Sequence, residues 1–226
     1  MQGVIPQKVE TAVGEKIADQ KEFWHHGPVI DDSFDSKIPA NLFIGEVPDF
    51  NQNFDELYEE LHKIGSRVLS VISLSLGLGK DYFSPWIEKG NSLLRSIHYP
   101  PVEGTANPHR ARAHTDINLI TLLIGAEEGG LEVLNKDGSW IKVEPSSNAI
   151  VCNIGDMMQL VTDKNLTSTT HRVIQDVNAE PKPRYSIPFF LHPAPSILLK
   201  SVFNENDKGV LAEDFLNERL KAIKLY

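Results

Sequence analysis

Cysteine is almost missing from this chain of 226 residues. Cys152 stands alone, so no disulfide can close within the chain, and its setting, Ala149-Ile150-Val151-Cys152-Asn153, predicts a buried strand thiol rather than a nucleophile. Long apolar runs are missing as well. Nowhere do about 18 uninterrupted apolar residues occur, the length a spanning helix needs, and Met1 to Glu10 holds no apolar stretch of signal-peptide length. These absences predict a soluble, cytoplasmic protein with no membrane role. Positive charge is scarce: 22 Lys and Arg against 31 Asp and Glu leave a net charge of -9, which repels phosphate backbones and argues against a nucleic-acid partner. No internal repeat or low-complexity run appears.

What is present suits one domain, because a chain of this size buries about 70% of its unfolded surface in a single core. The division expected is a short N-terminal region over residues 1–50, packing on or near the mouth of a site, and a main body over 51–226. Between Asn53 and Gly77, Leu57, Leu61, Ile64, Val68, Ile72 and Leu76 recur at helical steps, with Asn53 and Glu56 as a capping-box variant and Gly77 as a stop. Ser84-Pro85 opens a short helix that Gly90 ends. Leu211, Phe215, Leu216, Leu220 and Ile223 mark a C-terminal helix. Turn signals at Gly129-Gly130, Asp137-Gly138 and Gly155-Asp156 separate strands, whereas residues 1 to about 50 show weak periodicity.

The chemistry concentrates in His114-Thr115-Asp116, in His171, and in Arg184-Tyr185-Ser186. Residues separated by one project to the same side of a strand, so His114 and Asp116 are expected to grip one metal ion from a single strand. The apolar run Ile117 to Ile124 reads as a buried strand, and Ser168 to Ile174, rich in β-branched residues, as another that carries His171. Two imidazoles and a carboxylate on one face of an octahedron leave positions open for reactants, the facial triad of non-haem Fe(II) sites. Arg184 and Ser186 also point together, and a planar fork of donors matches a carboxylate. The following Ile187, Phe189, Phe190 and Leu191 make the strand apolar, where an unpaired arginine is costly and an anionic ligand satisfies it. His25, His26, His62, His98, His109 and His192 read as ordinary hydrogen-bonded histidines.

Residues 112 to 193 resemble the core of the Fe(II)/2-oxoglutarate-dependent dioxygenases, in the branch with isopenicillin N synthase and the plant-type enzymes. Six blocks carry the likeness in order: His114 to Leu123, Gly130 to Leu134, Trp140 to Val143, Asn153 to Asp156, Ser168 to Val173, and Arg184 to Ser186. The resemblance implies a mostly β fold, a double-stranded β-helix (jelly roll) with flanking α-helices. It further implies that His114, Asp116 and His171 bind Fe(II), with no catalytic residue beyond these ligands, and that Arg184 and Ser186 hold 2-oxoglutarate. Leu94 to Pro100 is similar to the segment whose tyrosine, here Tyr99, helps hold that carboxylate, although Ile97 stands where the family usually has Asn. The implied activity couples decarboxylation of 2-oxoglutarate to hydroxylation, desaturation or ring closure of a small molecule by dioxygen.

Arg184-Tyr185-Ser186 leaves a 2-oxoglutarate-independent oxidase open, as in isopenicillin N synthase, and an intact site on a non-catalytic binding or sensor module is the third reading. The primary substrate and the oligomeric state are not legible. Because the resemblance begins near Asp19 to Trp24, cover for the site is expected from residues about 20 to 50, from the Tyr99 to Arg112 loop, from the C-terminal helix, or from another subunit.

Overall fold

The computed structural model describes residues 3–7, 9–11, 19–101, 108–124, 129–144, 146, 148–175 and 180–224. In chain order its elements are β1 (Gly3–Ile5), β2 (Glu22–His26), α1 (Phe50–Ser75), α2 (Ser84–Ile87), β3 (Leu93–Tyr99), β4 (His109–His114), β5 (Ile120–Ile124) and β6 (Leu131–Leu134). There follow β7 (Trp140–Lys142), β8 (Ile150–Ile154), α3 (Asp156–Val161), β9 (His171–Ile174), β10 (Arg184–Leu191), β11 (Leu198–Leu199), β12 (Val210–Leu211) and α4 (Ala212–Ala222). The large sheet runs β1-β2-β3-β10-β5-β8, the small one β4-β9-β6-β7, and every pairing between neighbours is antiparallel. From β3 to β10 the chain repeatedly crosses between the two sheets. This is the jelly-roll core that the resemblance implies.

Alternation along β10 divides the molecule into an outside and an inside. Phe189 and Leu191 are fully buried on the outer face and join Leu94, Ile120 and Leu122 in a core against α1. Arg184, Ser186, Pro188 and Phe190 line a cavity of about 220 Å³ on the inner face. Helix α1 contributes Tyr58, Leu61 and Leu69 to the outer core, each burial worth about 1.5–3 kcal/mol. It approaches so closely at Gly65 that an added Cβ would lie 2.9 Å from Leu191 Cδ2.

Helix α1 begins at Phe50, ahead of the expected Asn53 cap. The Asn53 amide already donates a helical bond to Asp49 O at 2.9 Å, and the start is held by tertiary contacts. Phe50 stacks on Phe54, with ring centroids 4.5 Å apart, and sets its edge against Trp24. The expected stop is present. Gly77 takes φ +75, Leu78 N donates to Ser73 O at 2.9 Å and Gly77 N to Leu74 O at 3.1 Å, the paired bonds of a Schellman ending.

Other expectations change. Gly3–Ile5 and Glu22–His26, weakly periodic in sequence, extend the large sheet as β1 and β2, because Gly3 to Ile5 pair with Phe23 to His25 and Glu22 to His26 pair in register with Leu94 to His98. Gly155-Asp156 opens α3 rather than a plain turn. Cys152 sits on β8 as expected, but it is exposed rather than buried. Part of the Tyr99 to Arg112 loop, residues 102–107, lies outside the described residues, and its end is strand β4. Among the described residues no helix is long and apolar enough to cross a membrane.

Candidate active site

His114 and His171 are direct partners in the β4–β9 ladder, and their ring centroids lie 4.3 Å apart. Asp116 joins them by a route different from the expected one. Strand β4 ends at His114, and Asp116 lies in the connection before β5, which starts at Ile120. The physical reason is α3: its first amides need acceptors, and Asp156 N donates to Asp116 O at 2.7 Å while Met157 N donates to Ile117 O and Asn118 O at 3.1 Å. Residues 116 to 118 therefore turn to cap a helix instead of continuing a strand. Likewise β9 starts at His171, so residues 168 to 170 precede the strand expected to include them.

The second atom of each group is pinned. His114 Nδ1 donates to Arg112 O at 2.7 Å and His171 Nδ1 to Thr169 O at 3.0 Å, since a carbonyl can only accept. Both Nε2 atoms are then the ones free to ligate. Asp116 Oδ2 accepts from Thr121 Oγ1 at 2.6 Å and Asn153 Nδ2 at 2.8 Å, while Asp116 Oδ1 stands 3.8 Å from His171 Nε2. One ligand atom from each of the three lies within 4.8 Å of the others. Burial, reinforced by His171 and Lys21, lowers His114 to about 4, so its imidazole is neutral at pH 7. Asp116 stays below the usual carboxylate range because the two histidines and the Thr121 and Asn153 hydrogen bonds outweigh its burial. A neutral His114 imidazole, an ionised Asp116 and oriented second atoms on all three groups fit a divalent iron.

At the other end of the inner face, Arg184 pairs with Tyr99 and Ser186 with Ile97 across β3–β10. Arg184, Ser186 and Tyr99 are all buried. The Arg184 Nε donates to Gly129 O at 3.2 Å, and its guanidinium carbon lies 5.3 Å from the Tyr99 ring centroid. All six residues singled out in the sequence line one cavity with Thr121, Leu123, Leu131 and Asn153. Ile97 adds an apolar wall where the family usually has a polar one.

Several cavity residues are given no site role in the sequence, although Thr121 and Asn153 fall within two of the blocks that carry the resemblance. Thr121 and Asn153 orient Asp116 but come from β5 and β8. His25 and His192, read as ordinary histidines, both line the cavity. Burial lowers His192 to about 4, and its Nδ1 meets no hydrogen-bond partner among the described residues. A buried ion network also reaches the wall. Lys21 Nζ bonds Glu10 at 3.1 Å and Asp19 at 3.2 Å, Arg95 Nη1 bonds Glu10 at 3.2 Å, and Arg112 Nη1 bonds Asp19 at 3.3 Å. Burial works to raise Glu10, but Lys21 and Arg95 prevail and hold it at about 2. Of the expected covers, Lys21 and His25 line the cavity, as do Leu216, Leu220 and Ile223 at the C-terminal helix, whereas no residue from 27 to 50 does. Thr11 N bonds Ile223 O at 3.1 Å, which ties the two covers together.

Residues 90–193 match the model of the 2OG-Fe(II) oxygenase superfamily. A crystal structure of a protein from Caulobacter crescentus assigned to that family is 42% identical, superposes with a TM-score of 0.87, and matches over 99% of this chain and 76% of its own. A full-length protein of Neurospora crassa, solved in complex with alpha-KG, is 26% identical with a TM-score of 0.85, over 98% of this chain and 73% of its own. The 2-oxoglutarate-Fe(II) type oxidoreductase hxnY of Emericella nidulans is 33% identical over 196 residues, which are 85% of this chain and 54% of that protein. The chain thus spans about half the length of the curated relatives it matches. With its jelly-roll core and its His-Asp-His cluster, the chain belongs to the 2OG-Fe(II) oxygenase superfamily.

Proposed function

We propose that this chain is the oxygenase unit of an Fe(II)- and 2-oxoglutarate-dependent dioxygenase acting on a small molecule. One observation carries the reading: a histidine pair and a carboxylate, each with its second atom already bonded to protein, share a cavity with a buried arginine that can take an anion. In this reading His114, Asp116 and His171 hold Fe(II), and Arg184, Ser186 and Tyr99 hold the distal carboxylate of 2-oxoglutarate. The chemistry such a centre supplies is oxidation of a substrate C–H to C–OH by dioxygen, coupled to oxidation of 2-oxoglutarate to succinate and carbon dioxide.

The protein's own part is geometric. The carbonyls of Arg112 and Thr169 hold both imidazoles with Nε2 toward the ligand cluster. Thr121 and Asn153 hold Asp116 so that one oxygen stays available. Tyr99 backs the Arg184 fork, and β1, β2 and α4 add Ile5, His25, Leu216 and Leu220 to the cavity's lining. We read the described chain as one domain, since strands before residue 27 share a sheet with strands after residue 92. The lone cysteine and the acidic charge support a cytoplasmic enzyme that does not bind nucleic acid.

The test is anaerobic loading with Fe(II) and 2-oxoglutarate followed by oxygen. Stoichiometric iron and succinate formation are expected. Iron binding without any 2-oxoglutarate consumption would favour an oxidase like isopenicillin N synthase, and no iron binding would remove the reading.

A further inference from the structure

One wall of the cavity carries charged groups that are neither among the three iron-ligand candidates nor among the residues assigned to 2-oxoglutarate. Glu10 stands at its centre, with Lys21 Nζ on Oε1 and Arg95 Nη1 on Oε2. The two cations therefore flank one carboxylate, side by side on the wall. Arg95 is held on several sides: its Nε donates to His25 Nε2 at 2.8 Å, and its guanidinium carbon lies 4.1 Å from the ring centroid of Phe23 and 5.1 Å from that of Phe190. The side chains of Lys21 and Arg95 are only 4% and 12% exposed. Arg95 sits four residues before Tyr99 on β3, about 13 Å of strand away, so it is separate from the Tyr99–Arg184 pair.

The network ties residues 10, 19 and 21 to β3 and β4, a role that asks only that its charges be paired with one another. The donor inventory is more telling. A guanidinium has five N–H groups and an ammonium three. The bonds to His25 and Glu10 use two of the former, and those to Glu10 and Asp19 use two of the latter. The groups left over are donors only. A carboxylate brings acceptors only and matches them; an amide or alcohol brings donors of its own to a wall whose carboxylates are already engaged. Apolar residues complete the lining: Phe190, near Arg95, and its register partner Leu93 on the sheet, and Leu216 and Leu220 from the C-terminal helix.

We propose that the primary substrate is a small carboxylic acid, whose carboxylate binds Arg95 flanked by Lys21 and whose apolar body lies against Phe190 and the C-terminal helix. The inference rests on the oxygenase reading, since the acid meant is the molecule oxidised.

The test uses the whole chain, loaded anaerobically with Fe(II) and saturating 2-oxoglutarate so that the Arg184 site is filled. Phenylacetate, 3-phenylpropionate and hexanoate are titrated calorimetrically beside their primary amides, and succinate is then followed after oxygen is admitted. At least one acid is expected to bind roughly tenfold or more tightly than its amide, the scale of a charge-assisted hydrogen bond, and to raise succinate formation above the rate without it. In Arg95→Met that preference should fall to about one, and Arg95→Lys should restore part of it. Lys21→Met serves as the second variant if Arg95→Met does not fold, and it too should weaken the preference. No acid outbinding its amide, or a preference that persists in Arg95→Met, overturns the carboxylate site. The oxygenase reading fails differently, by absence of 2-oxoglutarate binding and of succinate in every arm, while the calorimetric comparison of acid with amide still decides the wall's role.

Discussion

Tyr99 and Arg184 are register partners across the β3–β10 ladder, and the guanidinium carbon stands 5.3 Å from the tyrosine ring centroid. The pairing makes the arginine a flat fork backed by an aromatic face. Arg184→Lys keeps the charge but loses the fork, so the dissociation constant of 2-oxoglutarate should rise about 10- to 100-fold. Titration of 2-oxoglutarate into the iron-loaded protein checks this, and turnover at saturating 2-oxoglutarate should fall less. An unchanged affinity would remove Arg184 from the site.

Asp116 is one of three ligand candidates, and Asp116→Ala or His171→Ala should abolish iron retention and turnover together. Its orientation depends on two neutral donors. Thr121→Val and Asn153→Leu each remove one of them and should weaken Fe(II) binding about 10- to 100-fold without unfolding the sheet. Iron dissociation rates report the loss and circular dichroism the fold; a variant that keeps full affinity would deny its residue an orienting role.

Glu10 predicts an acid-labile step. Its folded pKa of about 2 lies below the ordinary 4.5, so between these values the unfolded chain binds a proton that the native one does not. The stabilisation is fully present above about pH 4.5 and is lost as pH falls toward 2. It is worth on the order of 3 kcal/mol. Glu10→Gln should lower stability at pH 7 and flatten its decline between pH 4.5 and 2, as read by urea denaturation at a series of pH values. An equally steep decline in the variant would assign the acid sensitivity to other carboxylates.

Gly65 lets α1 approach the outer face of the sheet, because an added Cβ would meet Leu191 Cδ2 at 2.9 Å. Gly65→Leu should therefore destabilise by about 1–3 kcal/mol through overpacking. Leu191 faces away from the cavity, so the residual folded enzyme should bind 2-oxoglutarate normally. A variant as stable as the parent would show that the helix can shift.

Legibility in the sequence follows how local each signal is. Helix α1 is readable from the spacing of Leu57 to Leu76, and its end from Gly77, because periodicity and a positive-φ glycine are properties of a few neighbouring residues. Its start is not, since the Phe50–Phe54 stack against Trp24 brings in a strand from another part of the chain. Strands β1 and β2 escape a sequence reading for the same reason: β2 is placed by pairing with β3 and β1 by pairing with β2, not by an alternation of their own.

At the site, the residue types and their order are legible in one dimension: His114, Asp116, His171, Arg184 and Ser186 are chemically scarce combinations, and chemistry alone suggests a metal and an anion. Tertiary structure decides how they meet. Asp116 arrives from a helix-capping turn rather than from the strand of His114, because the first amides of α3 take the carbonyls of residues 116 to 118. Glu10 and Arg95, 85 residues apart, meet in one hydrogen bond. A ligand set is written in side-chain identity, whereas the wall around it is written in contacts between distant segments, and those exist only once the two sheets have closed on one another.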